Sequence, residues 1–331
     1  MPGDKLKMNY ATRQAYYRAI EADRGSKVIA FVTGDRHGLQ TQIAVDAVEP
    51  FVSLLDTIGP TKKISLILDT HGGQTSAAWR LINLLRSFGD EIEIIVPTKA
   101  MSAGTLMALG ADAIVMTKQA ALGPIDPSLS NHPLNPVVNG NQFVAVSAEA
   151  VRGYLDEVKK DLNDPAAIAE VWVNLANQIH PIVLGEIFRL GGQIRSMAKT
   201  LIQGQVKEEE VQDKIINLLC SDSGSHDYTI NRRYAAEIGL NILKPSAQLY
   251  DILSQTTKSY HAELKTLEPY NPVTMLSGNP KQSYQLVRGL IEGTEAGCYG
   301  FVSEGELSIH NAGAGPVIND ARSFEGWRKL P

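Results

Sequence analysis

Four strand-length apolar runs in the first third of the chain, separated by segments with helical spacing, constrain the fold more than any other feature. They are Lys27–Thr33, Ile64–Asp69, Ile92–Val96 and Ala113–Met116. Each is too apolar along its whole length to have a wet face. Residues 42–58 place Ile43, Val45, Val48, Phe51, Leu54 and Leu55 on one side of a helix. Residues 74–88 do the same with Ala77, Leu81, Leu84 and Leu85, and Ser102–Leu109 forms a third, shorter helix. Near-continuous apolar strands alternating with amphipathic helices predict a mainly parallel sheet covered on both faces.

The rest of the chain is patterned differently. Residues 8–24 predict an amphipathic, tyrosine-rich helix, and residues 123–142, rich in Pro, Asn and Gly, predict a long surface loop or lid. Residues 147–203 read as a helical arm, followed by helices over 206–220, 230–238 and 246–266. Pro269 to Pro280 has the composition of a linker. Beyond it the pattern predicts a helix over 282–292 and a strand pair, 298–302 and 306–310.

Composition narrows the classes of function. The 331 residues are 44% hydrophobic and 20% charged with a net charge of −5, and no basic run is present, which argues against a nucleic-acid partner. Two cysteines, Cys220 and Cys298, suit a reducing compartment and give no disulfide framework. No run of about 18 apolar residues spans a membrane, and the polar start of the chain lacks a secretion signal, so the expected location is cytoplasmic. The histidines are scattered singly and there is no P-loop pattern, so neither metal nor nucleotide cofactor is expected.

Two strand ends carry chemistry. After Leu66-Ile67-Leu68-Asp69 comes Thr70-His71-Gly72-Gly73; after Ile92–Val96 comes Ala100-Met101-Ser102-Ala103-Gly104. Ligands bind at the carboxyl ends of strands in an open parallel sheet. A serine at a strand-to-helix junction, beside a turn of bare backbone amides, has the parts of an acyl-transfer site: a nucleophile and an oxyanion hole. Gly72 or Gly73 and Ala103 are the candidate donors. The same residues also read as an ordinary tight turn and a helix cap.

Four motifs in order, Asp69–Gly73, Ala100–Thr105, Ala121-Leu122-Gly123-Pro124-Ile125-Asp126-Pro127 and Ser225-His226-Asp227-Tyr228-Thr229-Ile230, resemble the serine dehydrogenase proteinase family. That family is a soluble branch of the Clp-protease/crotonase superfamily and a distant relative of signal peptide peptidase A. The resemblance covers roughly residues 10–245. It implies an α/β fold, a Clp/crotonase-like spiral of parallel strands and helices, with a peptidase domain over 1–267 and a small extension over 268–331. It further implies a serine endopeptidase acting on peptides or unfolded chains, with Ser102 as nucleophile, Ala103 and Gly72 or Gly73 as oxyanion donors, and assembly into a homo-oligomer. His71 stands where the family has proline.

The general base is left open among several groups. The Clp proteolytic subunit has a histidine about 25 residues after its serine, and this chain has none there. His226 suits the role, oriented by Asp126 or Asp227, because imidazole titrates near neutrality. His71 reads as base, substrate contact or turn residue. Lys99, Lys118, Lys159 and Lys160 are the available lysines. Two other functions use the same fold: a crotonase-type acyl-CoA hydratase or thioesterase, and a non-catalytic scaffold.

Overall fold

In a computed structural model of the chain, residues 9–130, 132–138, 140, 142–222, 228–312 and 315–331 are described. Its elements in the first half are α1 (Tyr10–Arg24), β1 (Lys27–Thr33), α2 (Val48–Ile58), β2 (Thr61–Asp69), α3 (Thr75–Arg86), β3 (Gly89–Val96), β4 (Lys99–Ala100), α4 (Ala103–Leu109), β5 (Ala113–Met116) and β6 (Ala121–Leu122). Short strands follow: β7 (Ser128–Leu129), β8 (Val137–Val138), β9 (Gln142–Phe143) and β10 (Val146–Ser147). The arm is α5 (Ala148–Asp161), α6 (Pro165–Gln178) and α7 (Pro181–Ile202). Then come α8 (Glu209–Asn217), β11 (Ile230–Asn231), α9 (Arg232–Glu237), β12 (Ile242–Leu243), α10 (Ala247–Leu264) and α11 (Pro272–Leu276). The long strands β13 (Lys281–Gly293), β14 (Gly297–Ala312) and β15 (Gly315–Lys329) complete the chain.

One sheet has the order β12-β5-β3-β2-β1-β13-β14-β15. Its first five strands are parallel, as the alternation predicts. β13 enters antiparallel to β1, and β14 and β15 follow antiparallel. Successive residues of the parallel strands face opposite layers. Ile29, Phe31, Leu66, Leu68, Ile94 and Val96 pack with α2, α3 and α4, while Val28, Ala30, Val32, Ile67, Ile95 and Val115 pack with α1 and α10. This two-sided burial is the physical reason the strands carry no polar alternation.

Two sequence expectations fail at the C-terminal end. Residues 282–292 form part of strand β13, not a helix. The apolar spacing of Tyr284, Val287, Leu290 and Ile291 mimics a helical stripe because a bulge between Val287 and Gly289 shifts the inside-outside phase of the strand. The expected strand pair, 298–302 and 306–310, is one continuous strand; Gly305 passes through a second irregularity instead of a turn. The expected loop at 123–142 contains short paired strands, with β7 joined to β10 and β8 to β9. Among the described residues no helix is long and apolar enough to cross a membrane.

Candidate functional site

The carboxyl end of β2 is fixed from two sides. Thr70 N–H donates to Lys99 O at 3.0 Å and Met101 N–H donates to Thr70 O at 3.0 Å, so β2 and β4 run on as neighbours past the sheet. The next residues bend sharply. Gly72 has φ 110° and Gly73 φ 145°, values that L side chains rarely adopt. A Cβ at Gly72 would lie 2.7 Å from Met101 O and 2.9 Å from Ser102 Cβ, and one at Gly73 would lie 2.2 Å from Ile43 O. Ile43 N–H donates to Gly72 O and Gln74 N–H to Ile43 O, each at 2.8 Å. The paired-glycine bend is therefore packed between Ile43 and the Met101–Ser102 backbone, beside the serine.

Ser102 sits at φ 50°, ψ −114°, ahead of the fully buried α4. Such a conformation costs a residue with a Cβ on the order of 1–3 kcal/mol. It is held by the packing of α4, whose Thr105 hydroxyl bridges Ala100 O (2.7 Å) and Gly123 O (2.8 Å), and by the close approach of Gly104 to Thr70. The Ser102 side chain makes no cap hydrogen bond, so the helix-cap reading fails and its hydroxyl is left for other work.

The two glycine amides are not equivalent. Gly72 N–H is bonded to Thr70 Oγ1 at 2.9 Å, and that oxygen also accepts from the Thr33 hydroxyl at 2.8 Å. Among the described residues, Gly73 N–H and Ala103 N–H have no hydrogen-bond partner. The alternative left open by sequence, Gly72 or Gly73, is thus narrowed to Gly73 as the amide free to donate.

Ser102 and Gly73 line a cavity of about 360 Å³ together with His71, Asp126, Leu190 and Ile194. Leu190 and Ile194 belong to α7, so the helical arm supplies one wall. Asp126 Oδ2 accepts from the Ser147 hydroxyl at 2.7 Å, and its buried Oδ1 has no partner among the described residues. His226 and Asp227 lie outside the described residues. The chain resumes at Tyr228, and Ile230 pairs with Leu122, four residues before Asp126.

The lysines stand elsewhere. Lys99 Nζ is paired with Asp35 Oδ2 and lies 3.2 Å from Asp69 Oδ1, with its side chain only 21% exposed. Burial disfavours its charge, but Asp69 and Asp35 outweigh burial and hold the ammonium above the ordinary lysine range. Burial likewise opposes ionisation of Asp35, while hydrogen bonds from His71 and Lys99 hold its carboxyl below the ordinary aspartate range. Lys99 is a clamp between strand ends rather than a proton acceptor. Lys118 Nζ stacks 4.7 Å from the Tyr250 ring, and Lys159 and Lys160 are exposed partners of Asp156 and Glu157. His71 Nε2 lies 3.4 Å from Asp35 Oδ2 on an exposed side chain.

The clamp gives a stability prediction. Lys99→Met leaves two carboxylates facing one another and should destabilise the fold by about 3 kcal/mol, read by urea unfolding at pH 7. In the parent, the lysine's contribution is complete below its unfolded value of about 10.4 and is lost as pH rises through the higher folded value. Asp35 contributes above about pH 4, and its share is lost as pH falls through its lower folded value. A variant as stable as the parent across that window would show that the clamp does not stabilise the fold. Sequence reading did not single out Asp35, although its place after β1, at another strand end, was the available signal.

Residues 1–151 match the model of the ClpP-like SDH-type serine proteinases. Two uncharacterized proteins of Methanocaldococcus jannaschii are similar. MJ0137 is 28% identical over 200 residues, 60% of this chain and 60% of its own length. MJ1495 is 24% identical over 233 residues, 68% of this chain and 69% of its own. The chain thus spans less than two thirds of the first relative. Among solved structures, the 1510-N membrane-bound stomatin-specific protease with a substrate peptide aligns with TM-score 0.37 and 16% identity, over 62% of this chain and 73% of that one. A ClpP1 mutant from Listeria monocytogenes aligns with TM-score 0.38 and 12% identity, over 70% and 99%. The paired-glycine bend, Ser102 and Asp126 all fall within residues 1–151, the part of the chain that is similar to the ClpP-like SDH-type serine proteinases.

Proposed function

We propose that the chain is a serine endopeptidase that cleaves peptides or unfolded proteins through an acyl-enzyme on Ser102. The observation that carries this reading is the Ser102 hydroxyl, free of a cap bond on a strained backbone and opening on a cavity beside two amides that have no partner among the described residues. In the proposed reaction Ser102 Oγ attacks the substrate carbonyl carbon and gives its proton to a base. Negative charge builds on the carbonyl oxygen against Gly73 N–H and Ala103 N–H. Each such donor is worth about 3–4 kcal/mol in the transition state. The base then protonates the leaving amine, and water hydrolyses the ester by the same route in reverse.

We assign the base to His226 and its orientation to Asp126. Support comes from the buried Oδ1 of Asp126 at the cavity, which has no partner among the described residues, and from the pairing of Ile230 with Leu122. Imidazole also fits a base that works near pH 7. His226→Gln and Asp126→Asn should each lower casein hydrolysis by about 10³-fold or more, with casein binding little changed. Parent turnover should rise through about pH 6–7, and that limb should vanish in His226→Gln. Full turnover in His226→Gln would remove it from the mechanism. Tight coenzyme A binding by calorimetry, with turnover kept in Ser102→Ala, would replace the peptidase reading by an acyl-CoA one.

The proposal extends to a homo-oligomer acting in the cytoplasm. The arm supports the first point, since α6 has no buried residue and exposes Trp172 and Val173. Two buried free thiols, Cys220 and Cys298, are consistent with a reducing compartment. Restricted access in an oligomer would leave folded substrates intact while casein is cut.

A further inference from the structure

The C-terminal strands touch the 34–43 loop, and that loop touches the paired-glycine bend. Arg288 is the residue at which the first contact is made. It is the extra residue of the bulge in β13, between the pairs Val287–Val302 and Gly289–Phe301. Bulges beside sites commonly re-aim a side chain. Here the bulge turns both ends of Arg288 toward the loop that follows β1. Its Nε donates to Leu39 O at 3.0 Å and its Nη2 to Gln40 O at 2.8 Å. Its own carbonyl accepts from the Thr41 hydroxyl at 3.0 Å, and Thr41 Oγ1 accepts from Gly34 N–H at 2.7 Å.

The guanidinium is fixed from behind. Its side chain is 11% exposed, its Nη1 lies 3.0 Å from Ser303 Oγ and 3.2 Å from Glu325 Oε1, and it stacks over Phe301. All three supports come from β14 and β15. The approach is close enough that a Cβ on Gly34 would fall 2.1 Å from Arg288 O. Further C-terminal groups grip the same loop: Tyr270 N–H donates to His37 O at 3.0 Å, and Arg36 Nε donates to Glu268 O at 2.8 Å.

The loop passes this restraint to the site. Its Asp35 is paired with Lys99 and His71. Its Gln42 lines the Ser102 cavity. The next residue, Ile43, hydrogen-bonds on both sides of Gly73, to Gly72 O and from Gln74 N–H. We propose that Arg288 is a positioning residue for the oxyanion bend, and that residues 268–331 serve the site by clamping the 34–43 loop. The kinetic part rests on the peptidase reading; the mechanical part does not.

The experiment compares Arg288→Met, Arg288→Lys and Arg328→Met in the full chain. Arg328 pairs with Glu304 and stacks on Phe324 in the same strands, away from the loop. Hydrogen exchange of peptides covering 34–44 and 70–75 reads the mechanical link. In Arg288→Met both should exchange at least about tenfold faster, since local opening no longer breaks the guanidinium bonds. Arg328→Met should match the parent. A peptide boronate, which forms a tetrahedral adduct with an active serine, reads the oxyanion geometry. Its affinity and kcat should fall about 100-fold in Arg288→Met with KM little changed, the cost of misplacing a group by about 1 Å. Arg288→Lys should recover part of each.

Unchanged exchange at 70–75 in Arg288→Met would overturn the proposal, as would an equal loss in Arg328→Met. If Arg288→Met does not fold, Arg288→Lys and Thr41→Val are read on the same scale, and parent-like exchange at 70–75 in both overturns it. A parent protein that the boronate fails to bind would remove the peptidase reading. The exchange data would still decide whether Arg288 positions the bend.

Discussion

Ser102→Ala should abolish casein and peptide hydrolysis, a loss of about a millionfold in kcat, while the thermal midpoint stays within a few degrees of the parent or rises. Loss of the nucleophile removes acyl-enzyme formation altogether. Among the described residues the hydroxyl makes no cap hydrogen bond, so its loss leaves the start of α4 intact. The strained φ of 50° is relieved no more by alanine than by serine. Circular dichroism and differential scanning calorimetry on the pure variant separate these two consequences. A variant that unfolds as readily as a core mutant, or that retains hydrolysis, contradicts the role.

Gly73→Ala has the second largest expected effect, and it acts through the backbone. The residue is held at φ 145°, and an added Cβ would meet Ile43 O at 2.2 Å and Ile43 N at 2.6 Å. Neither atom is the free end of a side chain, so the bend or the 34–43 loop must move. Strain of this kind costs on the order of 1–3 kcal/mol, and the displaced Ile43 hydrogen bonds add to it. The same displacement carries the Gly73 amide off target, so kcat should drop by about 10²–10³-fold. Urea unfolding and steady-state kinetics on one preparation check both. Gly72→Ala should be comparably damaging for a different reason, the approach of its Cβ to Met101 O and Ser102 Cβ. A Gly73→Ala protein with parental stability and activity would mean that the bend is free to move and holds no oxyanion.

The parallel half of the fold was legible because its strands are buried on both faces and so carry no competing period; 64–69 and 92–96 could be little else. The antiparallel half was not. The bulge at Arg288 breaks the alternation of β13, and local pattern then favours a helix that the neighbouring strands override. At the site, the strand-end serine and the glycine pair were visible as types and spacing. Which glycine amide is free was not, because it depends on the Thr70 hydroxyl turning back to Gly72 N–H. The Asp35–Lys99–Asp69 clamp joins Lys99 to carboxylates 64 and 30 positions earlier in the chain, a pairing that no periodicity carries. Leu190 and Ile194 reached the cavity wall only through the packing of α7.

Treatment of the protein with a fluorophosphonate, followed by tandem mass spectrometry of the digested chain, asks whether Ser102 is a nucleophile. One phosphonyl group is expected, on Oγ of Ser102, formed at neutral pH and blocked by prior addition of a peptide boronate. An unmodified Ser102, with the label absent or carried by another residue, would contradict it.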